Sequence, residues 1–389
     1  MTESNAAPCR APRIVRVQAH EVVVPARAGS VNSECFDDAP GESWDRQPIC
    51  LVEVTTDDGL TGLGEAGRGI TLAELAPDLK RLVGMELAGA TLRDLPDDWR
   101  DRPYPGLIDR HPRRSWPPPR PVGVALEAAL LDLAGKRLGC RAVDILGGAC
   151  RRRVPVAFWT GRQRPEDLAR LTERALSMGF TAMKTKSKLG DPAAEQLQAV
   201  RGVAGDGFSL TIDAMFRWFE PAEAMPVFRR LERIGGAIQV EDPFPQDLPD
   251  HWRRVRSVCP VPMIWHARSM DVLRRGLQEN CCDGFNACGG LWGLITQGHA
   301  IEIAGYSCWA GSSMELGVRQ AALLHAAAAC RPCVMPSDFA SALVREHTLV
   351  DWDWPYRDGA LPLPDGPGLG VSLDRAALRR YTTSRKTFS

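Results

Sequence analysis

The chain has almost no net charge: Lys+Arg and Asp+Glu both total 48 among 389 residues. That balance gives no reason to expect nucleic acid or an anionic membrane surface as a partner. Long apolar runs are missing too. Met1 to His20 holds none of signal-peptide length, and no segment approaches a membrane span, so the cytoplasm is the expected compartment. Nor is there a disulfide framework. The 12 cysteines are scattered, and in a reducing compartment they are expected as free thiols. Cys330-Arg-Pro-Cys333 is a single CxxC without a second pair, which reads as chance spacing and not as a zinc site.

What is present suits two domains with a large core, since 44% of the residues are hydrophobic. Residues 12 to 65 read as antiparallel strands. They run through Ile14–Val17, Val22–Val24 and Leu51–Thr56, then the turn Asp57-Asp58-Gly59, then Leu60–Gly64. The polar stretch Ala28 to Gln47 is a lid, a binding loop or plain disorder. Helical patterns follow near 73–84 and 122–138. In the second, Val122, Leu126, Ala129, Leu130, Leu133 and Ala134 share one face, behind the Pro-rich stretch Trp116–Pro121.

After residue 150 short apolar strands alternate with helices. The candidates are Val154–Trp159, Ala182–Ser187, Leu210–Met215, Ala237–Asp242, Pro262–His266, Gly284–Cys288, Ser307–Ser312 and Cys333–Asp338. Eight strands with helices between them predict a closed parallel barrel over a doubly wound sheet. Polar residues fall at the C-terminal strand ends, where barrel enzymes keep their chemistry. The tail from Pro367 reads as a last strand returning to the N-terminal domain.

Three of these strands carry the chemistry. Side chains two apart on a strand share a face, so Lys184, Lys186 and Lys188 point one way. Two neighbouring ammonium groups repel, which favours losing one proton. Asp213 and Glu241, ending the next two strands, are placed to hold a divalent cation beside them.

In this order and spacing the segments resemble the enolase superfamily, in its mandelate racemase and muconate lactonizing branch. The resemblance spans nearly the whole chain. It runs through Val52–Glu65, Ala125–Leu133, Leu146-Gly-Gly148, Lys184-x-Lys186, Ile212-Asp213-Ala214, Val240–Pro243, Gly289-Gly290 and Pro367–Gly370. It implies an α+β capping domain (1–148, with tail 366–389) on a modified TIM barrel, (β/α)7β (149–365). It also implies removal of a proton next to a carboxylate, with the resulting enediolate stabilised on Mg²⁺, and a homo-oligomer.

Under that resemblance Lys186 is the base and Lys184 its electrostatic helper and substrate contact. Asp213 and Glu241 are metal ligands. Ala267 stands where a third acid is expected, beside His266, which is able to bind metal or substrate although imidazole suits softer ions. Met215 stands in place of a frequent Asn. Asn286 and Cys288 occupy the position of a second catalytic group, while Ser312, Glu315 and Trp309 are substrate-contact candidates. Trp159, Trp265 and Trp309 near strand ends point to an apolar or ring-bearing substrate, and Arg162 to a carboxylate contact or a surface role. His299 and His325 read as structural.

With one good basic face, the sequence predicts a lyase: a hydroxy-acid dehydratase working by syn-elimination through lysine. The alternatives are a racemase using Lys186 and Cys288, a cycloisomerase of the same family, or a non-catalytic descendant that binds a small acid.

Overall fold

A computed structural model describes residues 12–36, 47–86 and 121–389. The Pro-rich stretch before Pro121 and the middle of the Ala28–Gln47 loop lie outside the described residues. The N-terminal strands β1 (Ile14–Val22), β2 (Ile49–Thr56) and β3 (Thr61–Glu65) form an antiparallel meander. Helix α1 (Leu72–Leu82) opens on a capping box, with Thr71 and Glu74 each satisfying the other's backbone N–H. Helix α2 (Pro121–Leu138) crosses the sheet and buries Val122, Ala125, Leu126, Ala129 and Leu130. The closeness of that packing explains a glycine in β3. A Cβ on Gly62 would fall 2.1 Å from the Ala129 carbonyl oxygen.

A short helix α3 (Ala142–Ile145) leads to the hairpin-like strand β4 (Arg153–Pro155) and then the barrel. The barrel strands are β5 (Phe158–Arg162), β6 (Ala182–Lys186), β7 (Ser209–Asp213), β8 (Ile238–Glu241), β9 (Met263–Ala267), β10 (Gly284–Ala287) and β11 (Cys308–Ala310). They pair in parallel, in chain order. Their side chains are buried on both faces, as parallel sheets require. The covering helices are α4 (Pro165–Ser177), α5 (Ala193–Ala204), α6 (Pro221–Ile234), α7 (Pro249–Arg256), α8 (Met270–Glu279), α9 (Gly290–Ile303) and α10 (Gly317–Ala329). In α4, Leu168, Leu171, Thr172 and Ala175 make the inward stripe.

The eighth position differs from the expected strand Cys333–Asp338. That segment makes only single parallel bridges, Cys308 to Cys333 and Val156 to Ser337, and these close the ring. Beyond helix α11 (Ser341–Val344), strand β12 (Ala360–Pro362) pairs with β4. The tail also differs. Residues 367–373 are turns with isolated bridges, not a strand. The last strand is β13 (Thr382–Phe388), after helix α12 (Arg375–Tyr381), and it pairs antiparallel with β1.

Two carboxylates from the N-terminal elements join the sheet to the barrel. Glu127 of α2 accepts from the Leu291 amide at 3.0 Å, and Glu65 of β3 accepts from the amides of Leu316 and Arg319. Both cap first turns of barrel helices, where backbone N–H groups are unsatisfied and carboxylates are favoured. Among the described residues no helix is long and apolar enough to cross a membrane.

Candidate active site

Parallel register sets the first rank of the site. Lys186 pairs with Asp213 and Asp213 with Glu241, so three charged residues stand side by side at the ends of β6, β7 and β8. A second rank follows on β9, β10 and β11, where His266 pairs with Asn286 and Asn286 with Trp309. Going round the ring, β7, β8 and β9 separate β6 from β10 on one side. On the other side lie β11, the closing segment and β5. Lys184 and Lys186 therefore face Asn286 and Cys288 across the barrel mouth.

A buried polar chain links the two sides. Lys184 Nζ lies 2.5 Å from Glu241 Oε2 and 2.8 Å from Asp338 Oδ2. Asn286 donates to Glu241 Oε1 at 2.6 Å. The Cys288 thiol lies 3.6 Å from Asn286 Oδ1 and 3.2 Å from His266 Nε2. Gly311 makes room for this chain, since a Cβ there would sit 2.2 Å from Asn286 Oδ1 and 2.3 Å from Cys288 Sγ.

Burial dominates the charge states. It pulls the Lys184 ammonium down, but Asp338, Glu241 and Asp213 outweigh it and hold Lys184 firmly protonated. Burial raises Glu241, Asp242 and Asp338, against the attraction of Lys184 for Glu241 and Asp338. It pushes His266 down to about 3, helped by Lys184, and the Cys288 thiol up to about 12, helped by Asp338. Both members of that contact are neutral near pH 7. Met215, Asp242 and Met314 hold left-handed backbone just past strand ends, the kind of local strain that clusters at functional sites.

Lys184 departs from the role read from the sequence. Its charge is neutralised by two carboxylates, so it is not a free repulsive neighbour for Lys186. Lys186 instead approaches Asp213, at 3.9 Å. Lys188 lies beyond the strand, where its amide donates to Asp191. Arg162 does reach a carboxylate, but it is Asp191, at 2.8 and 2.5 Å. Trp159, Trp265 and Trp309 are all buried, which removes the basis for reading a ring-bearing substrate from them. Trp309 underlies Lys184, 5.3 Å from ring centroid to Nζ. Glu315 is buried and accepts from the Ser313 amide at 2.8 Å. Ser312 and His266 line an open cavity of about 250 Å³. His299 lies in α9, and buried His325 in α10 meets the Leu369 carbonyl.

Sequence reasoning missed Asp338, whose polar position at the end of the degenerate eighth strand was its only signal. It also passed over Asp242. One ligand atom each from Glu241, Asp242 and His266 lies within 4.8 Å of the others, with Asp213 alongside in register. One buried ammonium, Lys184, meets Glu241 and Asp338 while Asp242 is buried without it, and Asp338 Oδ1 has no hydrogen-bond partner among the described residues. The excess of buried acid fits a divalent cation. Oxygen donors with one imidazole also suit ions softer than Mg²⁺.

Capped parallel barrel and converging strand ends together define a barrel-type site for acid–base chemistry. Residues 167–377 match the family described as enolase C-terminal domain-like. The chain is 27% identical over 363 residues to muconate cycloisomerase 1 of Rhodococcus opacus, covering 87% of this chain and 92% of that protein. It is 23% identical to the N-succinyl-L-Arg/Lys racemase of Bacillus cereus, with the same coverage. The crystal structure of N-succinyl Arg/Lys racemase from Bacillus cereus superposes with a TM-score of 0.80 at 21% identity, over 97% of this chain and 100% of that one. The chain belongs to the enolase superfamily, in its mandelate racemase/muconate lactonizing branch.

Proposed function

We propose that this chain is an isomerase that removes the proton α to a small carboxylate with Lys186 and returns one from the opposite face. The observation that carries this reading is the placement of Lys186 on β6 and Cys288 just past β10, half a barrel apart. A group on each face of a carbon is what inversion needs. Relatives named as racemase and cycloisomerase support the isomerase class.

In this reading Lys186 takes the α-proton as general base. Lys184, fixed between Glu241 and Asp338, keeps a positive charge where negative charge develops, without reorganising at the moment of reaction. The protonated Cys288 thiol gives its proton to the far face, and the His266 ring 3.2 Å away stabilises the thiolate left behind. Asn286 orients Cys288 and holds Glu241. A divalent cation held by Glu241, Asp213 or Asp242, and His266 would neutralise the second charge that develops on the substrate carboxylate.

A second reading has its own support. Burial pushes the thiol up to about 12 and so disfavours the thiolate, which favours one-base chemistry, the syn-elimination of a hydroxy acid. Proton NMR in D₂O over a panel of amino, N-acyl amino and hydroxy acids separates the two. Deuterium entering the α-position with loss of optical activity supports the isomerase. Loss of water to an enol or keto acid supports the lyase. Absence of both with an acid that binds would leave a binding protein.

A further inference from the structure

Cys288 stands where the sheet stops holding the chain. Strand β10 ends at Ala287. Beyond it the Cys288 amide keeps one bond to the end of β9, to the Ala267 carbonyl at 3.2 Å. Gly289 and Gly290 come next, both left-handed, with φ of 107° and 76°. Glycine adopts such backbone without steric cost and constrains its neighbours least. A thiol on this segment needs a further anchor to keep a fixed place.

Gln297 is that anchor. It lies in the middle of α9 and is 1% exposed, the one polar side chain among the buried residues of the helix. Its amide grips the Cys288 backbone twice. Gln297 Oε1 accepts from the Cys288 amide at 3.2 Å, and Gln297 Nε2 donates to the Cys288 carbonyl at 2.5 Å. A buried amide is costly unless hydrogen-bonded, and an apolar side chain of similar volume would fill the same space without that cost. The thiol is confined on its other side as well. His266 Nε2 lies 3.2 Å from it, and a Cβ on Gly311 would come within 2.3 Å of the sulfur. Gln297 is not among the residues lining the cavity, so it reaches the chemistry only through Cys288.

We propose that Gln297 is a positioning residue that clamps the Cys288 backbone and so aims the thiol at the far face of the substrate carbon. The proposal rests on the reading of Cys288 as the acid of that face. A misplacement of about 1 Å in a reacting group costs on the order of 10²-fold in rate, so the clamp acts on one face of the reaction and not on the other.

Two variants of the full chain test this. Gln297→Met removes both bonds at nearly constant volume. Gln297→Asn keeps the amide but is one methylene too short, and it serves if the first variant does not fold. Exchange of the α-proton in D₂O is followed for each enantiomer of an accepted acid. Either variant is expected to slow, by about tenfold or more, the enantiomer that Cys288→Ala slows, and to leave the other within about twofold. Combined with Cys288→Ala, either variant should be no slower than Cys288→Ala alone, because both changes act through one group. A helix tie with a structural role only would slow both enantiomers together and add to Cys288→Ala. That result overturns the proposal, as does native exchange of both enantiomers in Gln297→Met and Gln297→Asn.

If Cys288→Ala slows neither enantiomer, the reading of the far face has failed, and the clamp is then judged without turnover. Nitrogen-15 spectra of the histidine-labelled chain report the His266 ring that the thiol touches. Gln297→Met is expected to move the ring signals that Cys288→Ala moves, and to leave the other histidines of the 7 in the chain in place. His266 signals that shift in Cys288→Ala and stay at their native positions in both Gln297 variants overturn the clamp.

Discussion

Lys184 and Asp338 lie 154 residues apart in sequence and meet at 2.8 Å inside the barrel. The contact joins the second strand to the segment that closes the ring, and Glu241 completes it from the fourth. Removing the ammonium leaves two buried carboxylates facing one another. Lys184→Met is therefore expected to lower stability by about 3–5 kcal/mol, read as a shift of the urea midpoint. A change below about 1 kcal/mol would mean that the acids are relieved by other groups.

The excess of buried acid has a second consequence. A divalent ion that binds only the folded chain raises its apparent stability. Mn²⁺ or Co²⁺ is expected to raise the melting temperature more than Mg²⁺ at equal concentration. His266→Gln should reduce the advantage of the softer ions and leave the Mg²⁺ response nearly intact. Nitrogen coupling in the pulsed electron paramagnetic resonance spectrum of bound Mn²⁺ would place the imidazole on the metal. Its absence would remove His266 from the ligand set.

Glu65 gives a pH dependence away from the site. Its carboxyl is raised from 4.5 to about 7 by burial, against the two amides it accepts from. Between those values the folded chain keeps a proton that the unfolded chain has lost, so stability falls as pH rises through that window. The loss is about 3 kcal/mol at ~1.4 kcal/mol per unit. Glu65→Gln should not share this loss, so its stability relative to the native chain should improve by a similar amount between pH 4.5 and 7. Parallel urea curves across that range would refute the assignment.

The barrel was legible in the sequence because its strands are short, apolar and regularly spaced, and their charged ends mark one rim. The elements that escaped have physical reasons. Strand β13 reads Thr-Thr-Ser-Arg-Lys-Thr-Phe and is mostly exposed, so it lacks apolar alternation; its charges suit an edge that must not recruit other strands. The eighth strand is reduced to bridges, and Asp338 gained meaning only when the ring closed around Lys184. The lysine pair and Glu241 were visible, but not Asp338 or the ion pairs by which both acids neutralise Lys184. Those acids lie far from Lys184 in the chain and meet it only when the ring closes.

Asn286 provides a separate test of the chain across the barrel. Its amide donates to Glu241 at 2.6 Å, and the side chain is buried. Asn286→Leu should lower the rate of proton exchange by about 10²-fold or more, while binding of a substrate-like acid stays within about threefold. An equal loss in both would place Asn286 in substrate binding instead.

The most direct test of a two-faced site is the exchange of each pure enantiomer of an accepted acid in D₂O, followed in the native chain, Lys186→Ala and Cys288→Ala. The native chain is expected to exchange both enantiomers. Each variant should lose the exchange of one enantiomer by about 10²–10⁴-fold, and the two variants should lose opposite ones. If Cys288→Ala exchanges both enantiomers at the native rate, the far face has no acid at Cys288 and the account of inversion is wrong.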